Sequence, residues 1–339
     1  MTVNISKPSI NIREKLAELD KPSGIAGEAV LRADSVQEIR SQIGAGRKNL
    51  LINGDFRVSQ RGGYTSATSA THNIYMLDRW KNAISPASTI QDLGGYVELK
   101  ATSAGTGSVR IFQTVEDMYL LEGNTLTVSC EMKSNSTNGR LQMHNGSWAA
   151  TNAAHSGSGE WESLSFSISM PASLSVTSIQ VGLDGVSSAN VAIAVGDYCQ
   201  IKNVQLELGS VATDFEHRSY GEELALCQRY CFTLGNLQAA HRISTGLAAS
   251  STTVYGMVEH PVTMRVNPTF TVVLLANVTV SNALAGTALT SLSKQGVVSS
   301  DKATGLTAVT AGGLTSATPY FIEGSGTTNA VTMIFDSEL

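Results

Sequence analysis

Residues 200–231 read QIKNVQLELGSVATDFEHRSYGEELALCQRYC, and the order of elements they spell decides how the rest of the chain divides. Val204, Leu206 and Leu208 alternate with Gln205 and Glu207, the two-residue period of a strand with one buried face. Cys199 and Ile201 stand in the opposite phase, so the pattern slips near Lys202 and Asn203. One extra residue in a β-bulge accounts for the slip. Gly209-Ser210 marks a turn. Ser219, with Glu222 three residues on, forms a capping box in which each side chain satisfies a backbone N–H of the other residue. Leu224, Cys227 and Cys231 then recur at helical spacing. The stretch is strand, turn and short helix, and it separates one β-rich region from another.

Upstream, residues 49–218 predict an antiparallel β-sandwich. Leu126, Val128, Cys130 and Met132 alternate with polar residues, and Leu164, Phe166, Ile168 and Met170 alternate with four serines. Ile179, Val181 and Leu183 repeat the pattern; residues 97–99 and 109–111 carry it more weakly. Gly94-Gly95, Gly123-Asn124, Asn138-Gly139 and Asp184-Gly185 punctuate these runs as turns. Strands at this spacing without long helices indicate a sandwich or jelly roll. Residues 62–71 and 147–159 are polar and aperiodic, and read as loops, where binding residues concentrate.

Residues 1–48 read as two short helices. Asn11 with Glu14 caps the first and Ser35 with Glu38 the second, and Gly44 and Gly46 end the second. Helices this short are marginal alone in water. Their apolar faces need a partner, either other chains or their own domain. Downstream, residues 254–258, 262–266, 270–275 and 331–335 are strand candidates, with His260-Pro261 and Asn267-Pro268 at edges or turns. Between Asn277 and Thr318 only Lys294, Asp301 and Lys302 are charged. Such a stretch suits a second β-domain partly buried against copies of itself. The expected organisation is mainly β: a helical attachment segment (1–48), a jelly-roll domain ending in a short helix (49–232) and a C-terminal β-domain (233–339).

The blocks Asn49-Leu-Leu-Ile-Asn-Gly-Asp-Phe56, Ser59-Gln-Arg-Gly62 and Leu77-Asp-Arg-Trp80, taken with residues 200–231, resemble the fibre and receptor-binding proteins of tailed bacteriophages. The resemblance spans roughly residues 20–235. It implies a jelly-roll module similar to carbohydrate-binding modules, and a connector in residues 1–48 that joins other virion proteins. It also implies a homotrimer, a virion location after synthesis in the host cytoplasm, and a bacterial surface polysaccharide as partner. Related modules often hold calcium near the Asn-Gly-Asp-Phe block. Here Arg57 and the run Ile201-Lys-Asn-Val204 replace the acidic residues those modules tend to carry, which removes oxygens that calcium needs. No metal and no cofactor is expected, and Arg57 or Lys202 is expected to fill the space as a cation.

The 339 residues carry a net charge of −5, with no basic stripe interleaved with aromatics, so nucleic acid is not an expected partner. No apolar run approaches the ~18 residues of a membrane span, and the N-terminus lacks the apolar core of a signal peptide. The four cysteines are too scattered for a disulfide framework and read as buried thiols. His217, Cys227 and Cys231 lack a fourth ligand for zinc.

No nucleophile elbow, His-Glu-x-x-His or phosphate loop occurs, and nothing pairs any two of the acidic residues Asp55, Asp78, Glu98, Glu116, Asp117, Glu131, Glu160 and Glu162 for glycan cleavage. The chain is read as non-catalytic. Sugar binding needs an aromatic face for the pyranose ring and polar neighbours for its hydroxyls. Trp148 fits, in a polar loop beside Asn145, Asn152 and His155, and Tyr64 is a second candidate; the alternative for each is an exposed loop aromatic that packs on its own loop. Trp80 and Trp161, next to strand patterns, are expected in the core, while Tyr75 and Tyr96 fit either place. Asp78-Arg79 and Glu216-His217-Arg218 are dense charges suited to locking the sandwich to the helix or a neighbour, or to a solvated surface. Two roles remain open: attachment to a surface glycan, or a structural fibre, knob or adaptor on the capsid or tail. A glycan-cleaving tailspike is disfavoured by the missing carboxylate pair and the lack of a repeat.

Overall fold

The computed structural model describes residues 48–116, 118–144, 152–173, 177–185, 190–237, 241–282, 286–325 and 331–338. The expected N-terminal helices, and Trp148 and Asn145, lie outside them. Thirteen strands build the first domain: β1 (Thr68–Ser69), β2 (Tyr75–Leu77), β3 (Trp80–Ser85), β4 (Ser88–Asp92), β5 (Val97–Ala101), β6 (Gly105–Thr114), β7 (Thr125–Ser134), β8 (Gly139–His144), β9 (Asn152–Ala154), β10 (Trp161–Ser169), β11 (Ser178–Leu183), β12 (Val191–Ile193) and β13 (Tyr198–Leu208). They form an antiparallel sandwich of the jelly-roll type. One sheet runs β1-β4-β5-β13-β7-β10 and the other β2-β3-β6-β11-β8-β9, with β12 beside β6.

The alternation read from the sequence sets which residues fill the space between the sheets. Leu126, Val128, Cys130 and Met132 of β7, Leu164 of β10 and Ile179, Val181 and Leu183 of β11 are all buried there. The phase slip in the last strand is a real irregularity. The β13–β7 register shifts between Lys202 and Gln205, and Asn203 adopts a left-handed φ of 53°.

The Asn53-Gly54-Asp55-Phe56 block is the latch at this bulge. The Gly54 carbonyl accepts from Val204 N–H at 2.8 Å. A side chain at Gly54 would put its Cβ 2.1 Å from the Val204 carbonyl oxygen, so only glycine fits. The Asn53 side chain donates to the Val58 and Asp78 carbonyls and accepts from Val58 N–H. Its own carbonyl accepts from the indole of Trp80 at 2.9 Å, which pins that ring in the core against Phe56.

Helix α1 (Tyr220–Gln228) starts at the Ser219–Glu222 capping box, with both reciprocal bonds made. It stops sooner than the cysteine spacing suggested: Cys231 already begins a strand, β14 (Cys231–Leu237). The charges expected to lock this segment do so. Glu216 accepts from the N–H groups of Lys48 and Asn49. Arg218 pairs with Glu216 and with the buried Glu223, and donates to the Leu51 carbonyl.

Eight further strands follow: β15 (Arg242–Ala248), β16 (Thr253–Glu259), β17 (Thr269–Val273), β18 (Val278–Ser281), β19 (Gly286–Gln295), β20 (Ala303–Thr310), β21 (Pro319–Gly324) and β22 (Val331–Asp336). Six of them close a barrel in the order β15-β16-β20-β19-β18-β21, and β14-β22-β17 form a three-stranded sheet. Residues 262–266, expected as a strand, form none. Flanked by Pro261 and Pro268, this segment makes isolated tethers instead: Met264 N–H to the Asp301 carbonyl, and Arg265 to the carbonyls of Arg229, Ser337 and Glu338.

The end of β22 returns to the sandwich. Arg61 binds Asp336 at 2.6 Å and Glu338 at 3.1 Å. Arg79 pairs with Glu338 while its guanidinium lies 3.5 Å over the Tyr230 ring. Asp78 sits buried beside Arg61. Among the described residues, no helix is long and apolar enough to cross a membrane.

Candidate glycan-binding face

The second sheet carries a polar strip on the side turned away from the core. Register places Lys81, Phe112, Gln180, Gln142 and Asn152 in one row across β3, β6, β11, β8 and β9. The next row holds Ala83, Arg110, Gly182, Arg140 and Ala154. Gln142 is 2 % exposed and Gln180 8 %, although neither faces the core, so the strip is recessed. Gly182, at φ 147°, stands between the two arginines where the backbone of β6 approaches closely. A Cβ there would fall 2.4 Å from the Val109 carbonyl oxygen.

Asp184 organises this strip. It forms an ion pair with Arg110 and accepts from Gln142 at 3.0 Å, and its carbonyl accepts from Arg140 Nε at 3.1 Å. Arg140 also donates to Asn152 at 3.0 Å. Burial pushes the Asp184 carboxyl up, against the pull of Arg110. Burial and the Arg110 charge both hold the imidazole of His144, one row away, below its usual value. Gln142 Oε1 and Arg110 Nε find no partner among the described residues. Lys81, Arg110 and Arg140 against Asp184 leave the strip positive. Planar amides and guanidiniums around a half-buried phenyl ring can hold hydroxyl and carboxylate oxygens of a sugar in fixed directions.

Of the residues expected at a sugar site, Asn152 stands in the strip, Trp148 and Asn145 lie outside the described residues, and His155 and Tyr64 lie elsewhere. The His155 ring is buried: Nδ1 accepts from Gly157 N–H at 2.9 Å, and Nε2 faces the Glu160 carbonyl at 3.0 Å. Both nitrogens are spent on closing the loop before β10, so this ring offers nothing to a ligand. Tyr64 packs partly against the sandwich core, and burial pushes its hydroxyl pKa up. Trp161, expected in the core, stands instead on the outer face of the first sheet and is 37 % exposed. The strip itself had a signal in the sequence. In β6 and β8 the residues out of phase with the core include Arg110, Phe112, Arg140 and Gln142, where β10 has only serines beyond its first residue.

A calcium ion does not fit the residues present at the Asn-Gly-Asp-Phe block. The Asp55 carboxylate is taken by Arg57, and the Val204 carbonyl by Asn49. Lys202 lies instead on the outer sheet face with Glu131. Among the described residues no group of three or more His, Cys, Asp or Glu side chains is placed to hold a metal.

No protein-family model and no curated protein matches the chain. Solved structures similar to part of it include one described as "CBM4 structure and function", at 15 % identity over 46 % of this chain and 98 % of that one, with a TM-score of 0.30. A putative sugar binding protein from Bacteroides thetaiotaomicron VPI-5482 shows 14 % identity over 48 % of this chain and 100 % of that one, with a TM-score of 0.31. The enzymatically active domain of Bacteriophage CBA120 tailspike protein 4 shows 14 % identity over 48 % of this chain and 21 % of that one, with a TM-score of 0.30. Likenesses this distant carry no functional argument, which rests on the residues of the strip.

Proposed function

We propose that this chain is a non-catalytic, glycan-binding attachment protein of a phage virion, and that it binds an acidic bacterial surface polysaccharide through the recessed strip. The observation that carries the reading is the row of Lys81, Phe112, Gln180, Gln142 and Asn152 flanked by Arg110 and Arg140, a polar surface that packing of the sandwich does not require. Its excess of cations favours carboxylate or phosphate groups on the glycan. The acidic residues of the sandwich are largely committed elsewhere: Asp55 to Arg57, Glu116 to Arg229 and Tyr230, Glu131 to Lys202, and Glu98 to Gln200. That supports binding without cleavage. The virion setting is supported by the Asn-Gly-Asp-Phe, Ser-Gln-Arg-Gly and Leu-Asp-Arg-Trp blocks. A homotrimer is supported by the barrel's outer face, where Leu247, Tyr255 and Met257 are exposed.

The test is binding of labelled protein to an array of bacterial surface polysaccharides, each in native and carboxyl-reduced form. Saturable binding to an acidic polysaccharide is expected. Reduction, or the pair Arg140→Ala with Gln142→Ala, should weaken it at least tenfold. Absence of binding across the array by correctly folded protein would leave a structural role on the capsid or tail. Light scattering should report three times 35.7 kDa.

A further inference from the structure

The outer face of the first sheet holds a second, separate arrangement of sugar-binding chemistry. In β10 the serines face solvent while Leu164 faces the core, and Trp161 shares the serine phase. Its ring meets Tyr96 edge-to-face at 5.5 Å and 89°, and Lys202 Nζ lies 4.5 Å from its centre. The bulge in β13 makes this possible. With Asn203 turned into the left-handed region, both Lys202 (2.9 Å) and Asn203 (2.7 Å) reach the Glu131 carboxylate. Partial burial works against ionisation of Glu131, but hydrogen bonds from Lys202 and Asn203 outweigh it and hold the group below the usual carboxylate range.

One row further along the sheet, about 7 Å by strand rise, the face becomes a trough of about 220 Å3. Ser129, Glu131, Ser163, Ser165 and Asn203 line it, and residues 212–215, ending in Phe215, wall it. That wall is held down firmly. Gln205 donates to the Thr213 carbonyl at 3.3 Å, Glu207 accepts from Thr213 N–H at 2.9 Å, and Ser167 donates to the Ser210 carbonyl at 2.9 Å. Among the described residues, the hydroxyls of Ser129, Ser163 and Ser165 have no hydrogen-bond partner.

We infer that this face is a second glycan site, which takes a neutral pyranose: the ring's apolar side rests on the Trp161–Tyr96 pair, and its neighbour's hydroxyls enter the serine-lined trough. An aromatic platform beside free hydroxyls and a fixed carboxylate–amide pair is the combination that pyranose recognition needs. The local charge selects the class. Lys133, opposite Trp161 in register, and Lys202 stand against Glu131 and Asp214, so the charges of this face balance and it lacks the cation excess of the strip. The site shares no residue with the positive strip and lies on the opposite sheet.

The test uses full-length protein labelled with 5-fluorotryptophan. The chain has three tryptophans, so fluorine NMR reads three lines, and Trp161→Phe assigns the one in question. The probes are the methyl glycosides of glucose, galactose, mannose and N-acetylglucosamine, and their β-linked disaccharides. A saturable shift of the Trp161 line with at least one probe is expected. Ser163→Gln, which fills the trough from an exposed position, should abolish that shift, while Arg140→Ala with Gln142→Ala should leave it unchanged. A Trp161 line that stays fixed with every probe overturns the inference, even if acidic polysaccharide still binds the strip. So does a shift that survives Ser163→Gln but disappears with the strip variant.

Discussion

The guanidinium of Arg61 donates to the carboxylate of Asp336 at 2.6 Å, joining the start of the sandwich to the end of β22. Arg79 repeats the link to Glu338, and the side chains of Arg79 and Glu338 are both almost wholly buried. Glu338→Gln keeps the shape of this contact and removes its charge, leaving the buried Arg79 without its carboxylate partner. The expected loss is about 3–5 kcal/mol, read as a lower denaturant midpoint. A midpoint unchanged from the parent protein would mean that the joint carries no load.

Asp78 makes the same joint sensitive to pH. Burial pushes its carboxyl up to about 7, against the pull of the Gln60 backbone N–H and of Arg61. Between the unfolded value near 3.8 and about 7, the unfolded chain has released this proton and the folded chain still holds it. Stability is therefore fully present below about pH 4, falls as pH rises to about 7 and levels off above that, by about 1.4 kcal/mol per unit. Subtracting the stability profile of Asp78→Asn from that of the parent should isolate this slope. Parallel profiles would contradict it.

All four cysteines are buried, and burial raises every thiol pKa, that of Cys199 to about 12. A water-soluble aromatic disulfide reagent should release no colour from the folded protein within minutes. In denaturant it should count four thiols. Rapid reaction of any one thiol in the native state would place that residue at the surface.

Gly54→Ala forces a methyl group into the Val204 carbonyl. Backbone must move on one side or the other, and overpacking of this kind costs about 1–3 kcal/mol. The bulge at Asn203 shifts with it. Both a lower melting temperature and a displaced Trp161 fluorine line are therefore expected, and Ser219→Ala, which only loses a cap worth about 1 kcal/mol, should leave that line in place.

The strands were legible wherever one residue type filled the outward phase, as the serines of β10 do. The bulge was legible as a phase slip between Ile201 and Val204, and α1 as its capping box. Trp161 belongs to the serine phase, so its outward position was written in the same alternation; proximity to a strand is a poorer guide than phase. Residues 262–266 alternate too, but the flanking prolines withhold the donors a ladder needs. Closure of the barrel had no local trace, because β15 pairs with β21 across more than seventy residues. The polar strip was hidden for the same reason. Arg110, Arg140, Gln142 and Gln180 come together only when β6, β8 and β11 pair.

β22 is the middle strand of its sheet, bonded along both edges by β14 and β17, and its far end is held by two arginines of the other domain. Tension between the two domains would load this strand along its length, so many backbone bonds share the force and must shear together rather than unzip singly. The joint has the mechanics of a rivet, which spreads a pull over a row of bonds instead of concentrating it on one.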